Sequence, residues 1–197
     1  LLTMGANSLT MIVCSRELGK SHITSLDAIC DALLYSNCKV VVTSATIDQA
    51  NKIIEKKIKG VFCNPASAFY SPVLGQMVQD GYISFSSNKN TTGLIVNFGN
   101  GSKIEAFPCL PSARGERANV LIADEFVLLK KKDYDEIMHP MLENRDFAGR
   151  PDDYPDDWKE IFLSSAKKKT NWGWKKLKDC VTDHFKNKDS GFFIADV

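Results

Sequence analysis

The sequence predicts an α/β fold, with a mainly parallel central sheet flanked by helices and a small antiparallel β annex. Apolar runs fit for buried strands alternate with segments whose apolar residues recur at helical spacing, the pattern of a wound sheet. The first such run passes into the first such helix through a short polar turn ending in Gly19-Lys20-Ser21. A later run, Val120-Leu121-Ile122-Ala123, ends in two adjacent acids, Asp124 and Glu125. At 197 residues, 44% of them hydrophobic, the chain suits one such domain with a full core. Because it starts at Leu1 and an apolar segment, Gly191 to Val197, reaches the last position, residues 1–197 are expected to be an excised domain whose flanks are missing.

In chain order, Leu9 to Val13 is an apolar strand. Ser21 to Asn37 follows as a helix, with Ile23, Leu26, Ile29, Cys30, Leu33 and Leu34 on one stripe. Lys39 to Thr43, with three consecutive valines, is a buried strand. Ser44 or Thr46 then caps a helix lined by Ile47, Ala50, Ile53, Ile54 and Ile58 and ending at Gly60. Its lysines (Lys52, Lys56, Lys57, Lys59) form a solvated face. A short helix is predicted around Val73 to Gln79. Three β-like runs come next, Tyr82 to Phe85, Leu94 to Phe98 and Lys103 to Phe107, with Gly99-Asn100-Gly101-Ser102 turning a hairpin between the last two. A polar loop, Leu110 to Asn119, leads into the acidic strand. Tyr134 to Leu142 is helical with a break at Pro140, and Asn144 to Asp157, rich in Asp, Pro and Gly, is a loop. Glu160 to Leu163 is a strand ending at Ser164-Ser165-Ala166. Trp174, Leu177, Cys180, Val181 and Phe185 mark a last helix, with His184 beside its apolar face, and Gly191 to Ala195 a last strand.

Composition narrows the function classes. The formal charge of +1 leaves no global nucleic-acid footprint, so DNA contact falls to local patches such as Lys130-Lys131-Lys132 or Lys167-Lys168-Lys169. No apolar run approaches the length of a membrane span, and Leu1-Leu2-Thr3-Met4-Gly5 lacks the basic flank of a signal peptide, so a cytoplasmic location and no membrane partner are expected. The six cysteines form no C-x-x-C pair and are expected to be reduced, and the three histidines have no ligand-like spacing for zinc.

Two segments carry chemistry. Cys14-Ser15-Arg16-Glu17-Leu18-Gly19-Lys20-Ser21 has the layout of a phosphate-binding loop, although Cys14 stands where G-x-x-x-x-G-K-[ST] has glycine. Backbone N–H groups from Ser15 through Ser21 would cradle polyphosphate, Lys20 would reach the outer phosphates, and the Ser21 hydroxyl would hold Mg²⁺. In a parallel sheet the carboxyl ends of the strands face the ligand crevice, which brings Asp124 and Glu125 beside that loop. There Asp124 would hold Mg²⁺ and Glu125 would orient the attacking water. Alone, that hexapeptide fits a strand ending in two solvated acids equally well; with Gly19-Lys20-Ser21 upstream the chemical reading prevails. Ser164 and Ser165 suit a γ-phosphate sensor or coupling element, and equally an ordinary turn.

In order and combination, the Cys14–Ser21 loop, Ser112-Ala113-Arg114-Gly115-Glu116-Arg117, Val120 to Glu125 and Ser164-Ser165-Ala166 resemble the ATPase domain of the large terminase subunit, the DNA-packaging motor of tailed bacteriophages and related viruses. Terminases are known for a glycine-poor loop in which Ser-Arg precedes x-x-Gly-Lys-Ser/Thr, as here. The resemblance implies a P-loop NTPase fold of the ASCE, RecA-like type. It also implies ATP and Mg²⁺ as cofactors, ATP hydrolysis driving double-stranded viral DNA into a procapsid, a homo-oligomeric ring, and portal protein and small terminase subunit as partners in the host cytoplasm. Lys20 and Ser21 would bind phosphates and metal, Asp124 the metal, and Glu125 would be the catalytic carboxylate. Arg16 matches a γ-phosphate sensor or cis-acting finger, while Arg114 or Arg117 would act in a neighbouring subunit; the sequence leaves the three open. Terminases also carry an adenine-contacting segment well upstream of the loop, where this chain has only Leu1 to Thr10, and a C-terminal nuclease domain, so no nuclease activity is expected. The alternatives are a helicase-like or other P-loop translocase, and an assembly module that binds nucleotide without turnover.

Overall fold

In a computed structural model of the chain, the structure describes residues 9–15, 17–143, 159–165, 172–186 and 192–196. Arg16, Ala166, the loop 144–157 and the Lys167-Lys168-Lys169 run lie outside the described residues, as does the side chain of His184.

Eight strands form one sheet: β1 (Leu9–Val13), β2 (Lys39–Ser44), β3 (Ile83–Ser87), β4 (Leu94–Phe98), β5 (Lys103–Pro108), β6 (Val120–Ala123), β7 (Lys159–Ser164) and β8 (Phe192–Asp196). Their order is β3-β4-β5-β2-β6-β7-β1-β8. From β5 to β8 every neighbouring pair is parallel, and β3 and β4 add an antiparallel meander on β5, which is the predicted annex. Burial on both faces explains the near-continuous apolar runs: Val40, Val41 and Val42 of β2 are all fully buried.

One face is covered by α1 (Lys20–Leu34), whose Ala28, Ile29 and Ala32 pack with Val40, Val42, Ile122 and Ile161. Beside it lies α2 (Ile47–Lys52), capped by the Thr46 side chain, which accepts a hydrogen bond from the Gln49 N–H. A π-helical stretch, Ile53–Phe62, extends α2 past Gly60, where the sequence predicted its end. Burial of Phe62 at four-residue spacing after Ile54 and Ile58 accounts for the extension, because the apolar stripe continues beyond the glycine. α3 (Pro72–Gln79) follows, with Ser71 as its cap. The other face buries Met11, Val41, Leu121 and Phe162 under Phe126, Tyr134, Ile137 and Met138. That layer comprises α4 (Lys131–Asp133), the π-helical turn Tyr134–Met138, the 3-10 turn His139–Glu143 that accommodates Pro140, and α5 (Trp172–Lys186).

The central strand β7 is buried throughout yet begins with two charged residues. Lys159, 2% exposed, reaches α1 and pairs with Asp27 at 2.5 Å and Asp31 at 2.9 Å. Burial alone would lower the Lys159 pKa, but the carboxylates of Asp31 and Asp27 outweigh it and hold the ammonium charged. Glu160, on the opposite face, accepts a hydrogen bond from the Tyr134 hydroxyl and lies 3.0 Å from His139 Nδ1 and 3.5 Å from Lys176 Nζ. Removing one partner of a buried ion pair strands the other charge. Lys159→Ala is therefore expected to lower unfolding stability by about 3–5 kcal/mol, read from urea denaturation at neutral pH.

Candidate functional site

The carboxyl ends of β1, β7 and β6 meet at one point of the sheet edge, and the chemistry-bearing side chains gather there. β1 passes into the loop at Cys14, whose N–H donates to the Ser164 carbonyl at 3.2 Å and whose side chain is buried in the core beneath α1. Cys14 thus prolongs the strand pairing and has no positive φ, so the glycine of the common motif has no conformational role to fill at this position. The tight turn is made further on, where Glu17 (φ 69°) and Gly19 (φ 79°) both adopt left-handed conformations. Gly19 is also the N-cap of α1, so Lys20 and Ser21 occupy its first turn, at the positive end of the helix dipole.

Lys20 Nζ lies 3.4 Å from Glu125 Oε1 and 3.5 Å from Ser165 Oγ, with 10% of its side chain exposed. Ser165 in turn donates from Oγ to Glu125 Oε1 at 2.7 Å and from its backbone N–H to Oε2 at 3.4 Å. Glu125 itself is left-handed (φ 47°, ψ 42°), an uncommon state for a residue with a side chain, and these three contacts hold it there. Burial pushes its pKa up, but the Ser165 hydrogen bond and the Lys20 charge outweigh that and leave the carboxyl below its ordinary range. Ser164 turns its hydroxyl to the Ser165 carbonyl at 2.9 Å and supports the same bend.

Asp124 is fixed by its backbone. Its N–H donates to Thr43 O at 2.8 Å and its carbonyl accepts from Ser44 Oγ at 3.0 Å, while Ser44 also contacts Gln49 Oε1 at 3.1 Å. Ser44, read from the sequence as a possible helix cap, instead supports the Asp124 backbone while Thr46 caps α2, and Gln49 was not singled out. Asp124 Oδ1 is buried and has no hydrogen-bond partner among the described residues. Burial, reinforced by the neighbouring Glu125 charge, pushes the Asp124 pKa up to about 6. An unpartnered buried carboxylate oxygen has the donor chemistry that a hard divalent cation would take. Among the described residues no group of three or more His, Cys, Asp or Glu is placed to hold a metal ion.

Arg114 and Arg117 are not brought to Lys20. Between them, Glu116 pairs with Lys39 Nζ at 2.5 Å, and Lys39 is the first residue of β2, at the amino ends of the parallel strands. Arg114 lies 3.6 Å from Glu136 on the surface. In the lysine patch, Lys131 pairs with Asp135 and Lys132 lies 3.9 Å from Glu136, which offsets part of its charge.

The topology is the mainly parallel, helix-flanked sheet with an antiparallel annex that the sequence predicts. No family model matches the chain, and no curated protein matches it in sequence. Among solved structures, the large terminase ATPase domain of Thermus phage P74-26 is similar with a TM-score of 0.65 and 15% identity, over 96% of this chain and 75% of that one. A large terminase from a thermophilic bacteriophage is similar with a TM-score of 0.59 and 10% identity, over 96% of this chain. The chain spans 40% of that second protein. The same thermophilic-phage terminase in complex with ATP-γ-S gives a TM-score of 0.59 at 11% identity, over 96% of this chain and 39% of that one. The fold is that of phage large-terminase ATPase domains.

The Asp124 environment has a pH signature. Its folded pKa lies above the usual carboxylate value, so the folded state loses stability as pH rises from about 4 through 6. In metal-free buffer Asp124→Asn is expected to be more stable than the parent at pH 8, by up to about 3 kcal/mol. The difference should shrink toward pH 4, as followed by denaturant titration across that range.

Proposed function

We propose that residues 1–197 are a single ATPase domain of the terminase large-subunit type, hydrolysing ATP to drive double-stranded viral DNA into a procapsid. The observation that carries this reading is the convergence of Lys20, Ser165 and Glu125 at the ends of three parallel strands, beside the unpartnered Oδ1 of Asp124. Similarity of fold to large-terminase ATPase domains, one of them in complex with ATP-γ-S, supports it.

The loop Ser15–Ser21, with Arg16, Glu17, Leu18 and Gly19 between, surrounds the phosphates with backbone N–H groups. Polyphosphate competes with Glu125 for the Lys20 ammonium. Once Lys20 turns to phosphate, the Glu125 carboxylate is free to accept a hydrogen bond from water, with Ser165 holding its orientation. Asp124 and Ser21 would hold Mg²⁺, which would supply positive charge against the phosphate oxygens. Positioning and charge stabilisation supply the catalysis. Ser164 and Ser165 report the state of the γ-phosphate to β7. Arg16 lies in the loop itself and serves as the cis candidate for a γ-phosphate contact. Arg114 and Arg117, exposed and away from Lys20, suit a finger reaching the site of a neighbouring subunit in a homo-oligomeric ring. Portal protein and small terminase subunit are the corresponding partners, and the host cytoplasm the corresponding location. No nuclease activity is assigned to these residues.

Replacing Glu125 with alanine is expected to lower steady-state ATP hydrolysis by at least about 100-fold while ATP binding, read by calorimetry, persists. Hydrolysis that survives the substitution would remove Glu125 from its role. Parent activity stimulated by duplex DNA without strand separation would distinguish a packaging motor from a helicase.

A further inference from the structure

An apolar cavity of about 590 Å³ opens directly beside the phosphate loop. Leu18 from the loop, His22, Ile23 and Leu26 from the first turns of α1, and Phe62 and Phe69 from beyond α2 line it. We propose that this cavity receives the base of the bound nucleotide, with Phe69 as the principal stacking surface. The inference rests on the phosphate-binding reading of Gly19, Lys20 and Ser21, and assigns a ligand contact to a segment that reading does not use.

Three features carry it. The cavity is continuous with the loop, since Glu17, Leu18 and Gly19 belong to both, so a ligand whose phosphates lie on the N-terminus of α1 has its remaining bulk beside this wall. The wall also has the composition of a base site. Among its lining residues only Glu17 and His22 carry polar side-chain atoms, and the volume lies within the range of small-molecule pockets. Finally, Phe69 is exposed by 67%, as are Leu18 and Ile23 by nearly half, so this one cavity wall presents open apolar surface.

The Phe69 ring is not loosely placed. The Phe69 backbone N–H donates to Ser67 Oγ at 3.2 Å, the Tyr70 N–H donates to Ser67 O at 3.2 Å, and the Ser71 N–H closes the loop onto Phe62 O at 2.9 Å. The ring lies 5.8 Å from the His22 imidazole, centroid to centroid, at 55°. Rings so close and so tilted leave no slot between them, so a base stacks on the outer face of Phe69 with its edge toward His22 and Ile23. Recognition through ring faces tolerates different bases, because every base has a π-face.

The test compares MgATP with magnesium tripolyphosphate, which has the phosphates and no base, by calorimetry on the parent chain and on Phe69→Ala. The substitution is expected to weaken ATP binding about fivefold or more and to leave tripolyphosphate within about twofold, with Phe69→Tyr restoring ATP. The quenching of 2-aminopurine riboside triphosphate fluorescence on binding should diminish in Phe69→Ala alone. Unchanged ATP affinity in Phe69→Ala, or an equal loss for both ligands, overturns the base site while leaving the phosphate site in place. A parent chain that binds neither ligand overturns the phosphate site, and the base site with it.

Discussion

The register of β7 is the constraint on which the rest depends. This strand lies between β6 and β1, so the acidic turn and the phosphate loop are separated by two interstrand spacings, roughly 10 Å. Lys20 and Glu125 span that gap over the end of β7, where Ser165 touches both. Lys159 and Glu160 fix the strand from opposite faces: one is paired with α1 and the other with Tyr134, His139 and Lys176. A slip by one residue would carry each buried charge to the face that holds its like, Lys159 toward Lys176 and Glu160 toward Asp27 and Asp31. Buried charge here therefore specifies alignment more than it adds stability.

Much of the architecture was legible in the sequence because apolar runs in a parallel sheet are buried on both faces. The three valines of β2 and Val120 to Ala123 of β6 announce strands, and Asn100-Gly101 announces the hairpin between β4 and β5. Helix ends were less legible: α2 passes Gly60 because the burial of Phe62 outweighs the usual terminating role of glycine. The buried charges of β7 could not be anticipated. A Lys-Glu pair at a strand start looks solvated, and the partner Asp31 is 128 residues away in the chain.

The candidate site was legible in its residue types and less so in their relations. Lys20, Asp124 and Glu125 are assembled at the strand ends, as motif spacing predicts. The position of Cys14 is explained by geometry, since its thiol packs into the core and the left-handed conformations fall on Glu17 and Gly19. Ser165 is more closely involved than a strand-end hydroxyl suggests, because it is hydrogen-bonded to Lys20 and Glu125 together. The arginine-glycine segment, read as acting on a neighbouring subunit, lies away from this chain's own Lys20. It immediately precedes the acidic strand, and its Glu116 is anchored by Lys39 at the amino ends of the parallel strands.

The two-sided anchoring of β7 has a mechanical corollary. A strand gripped by counter-charges on both faces resists sliding along its own axis, and its neighbours β6 and β1 share its hydrogen bonds. Displacements at the crevice are then confined to the bends after Ser164 and Ala123 and to the loop before Lys20. The sheet is thus a fixed platform from which the bends after Ser164 and Ala123 project.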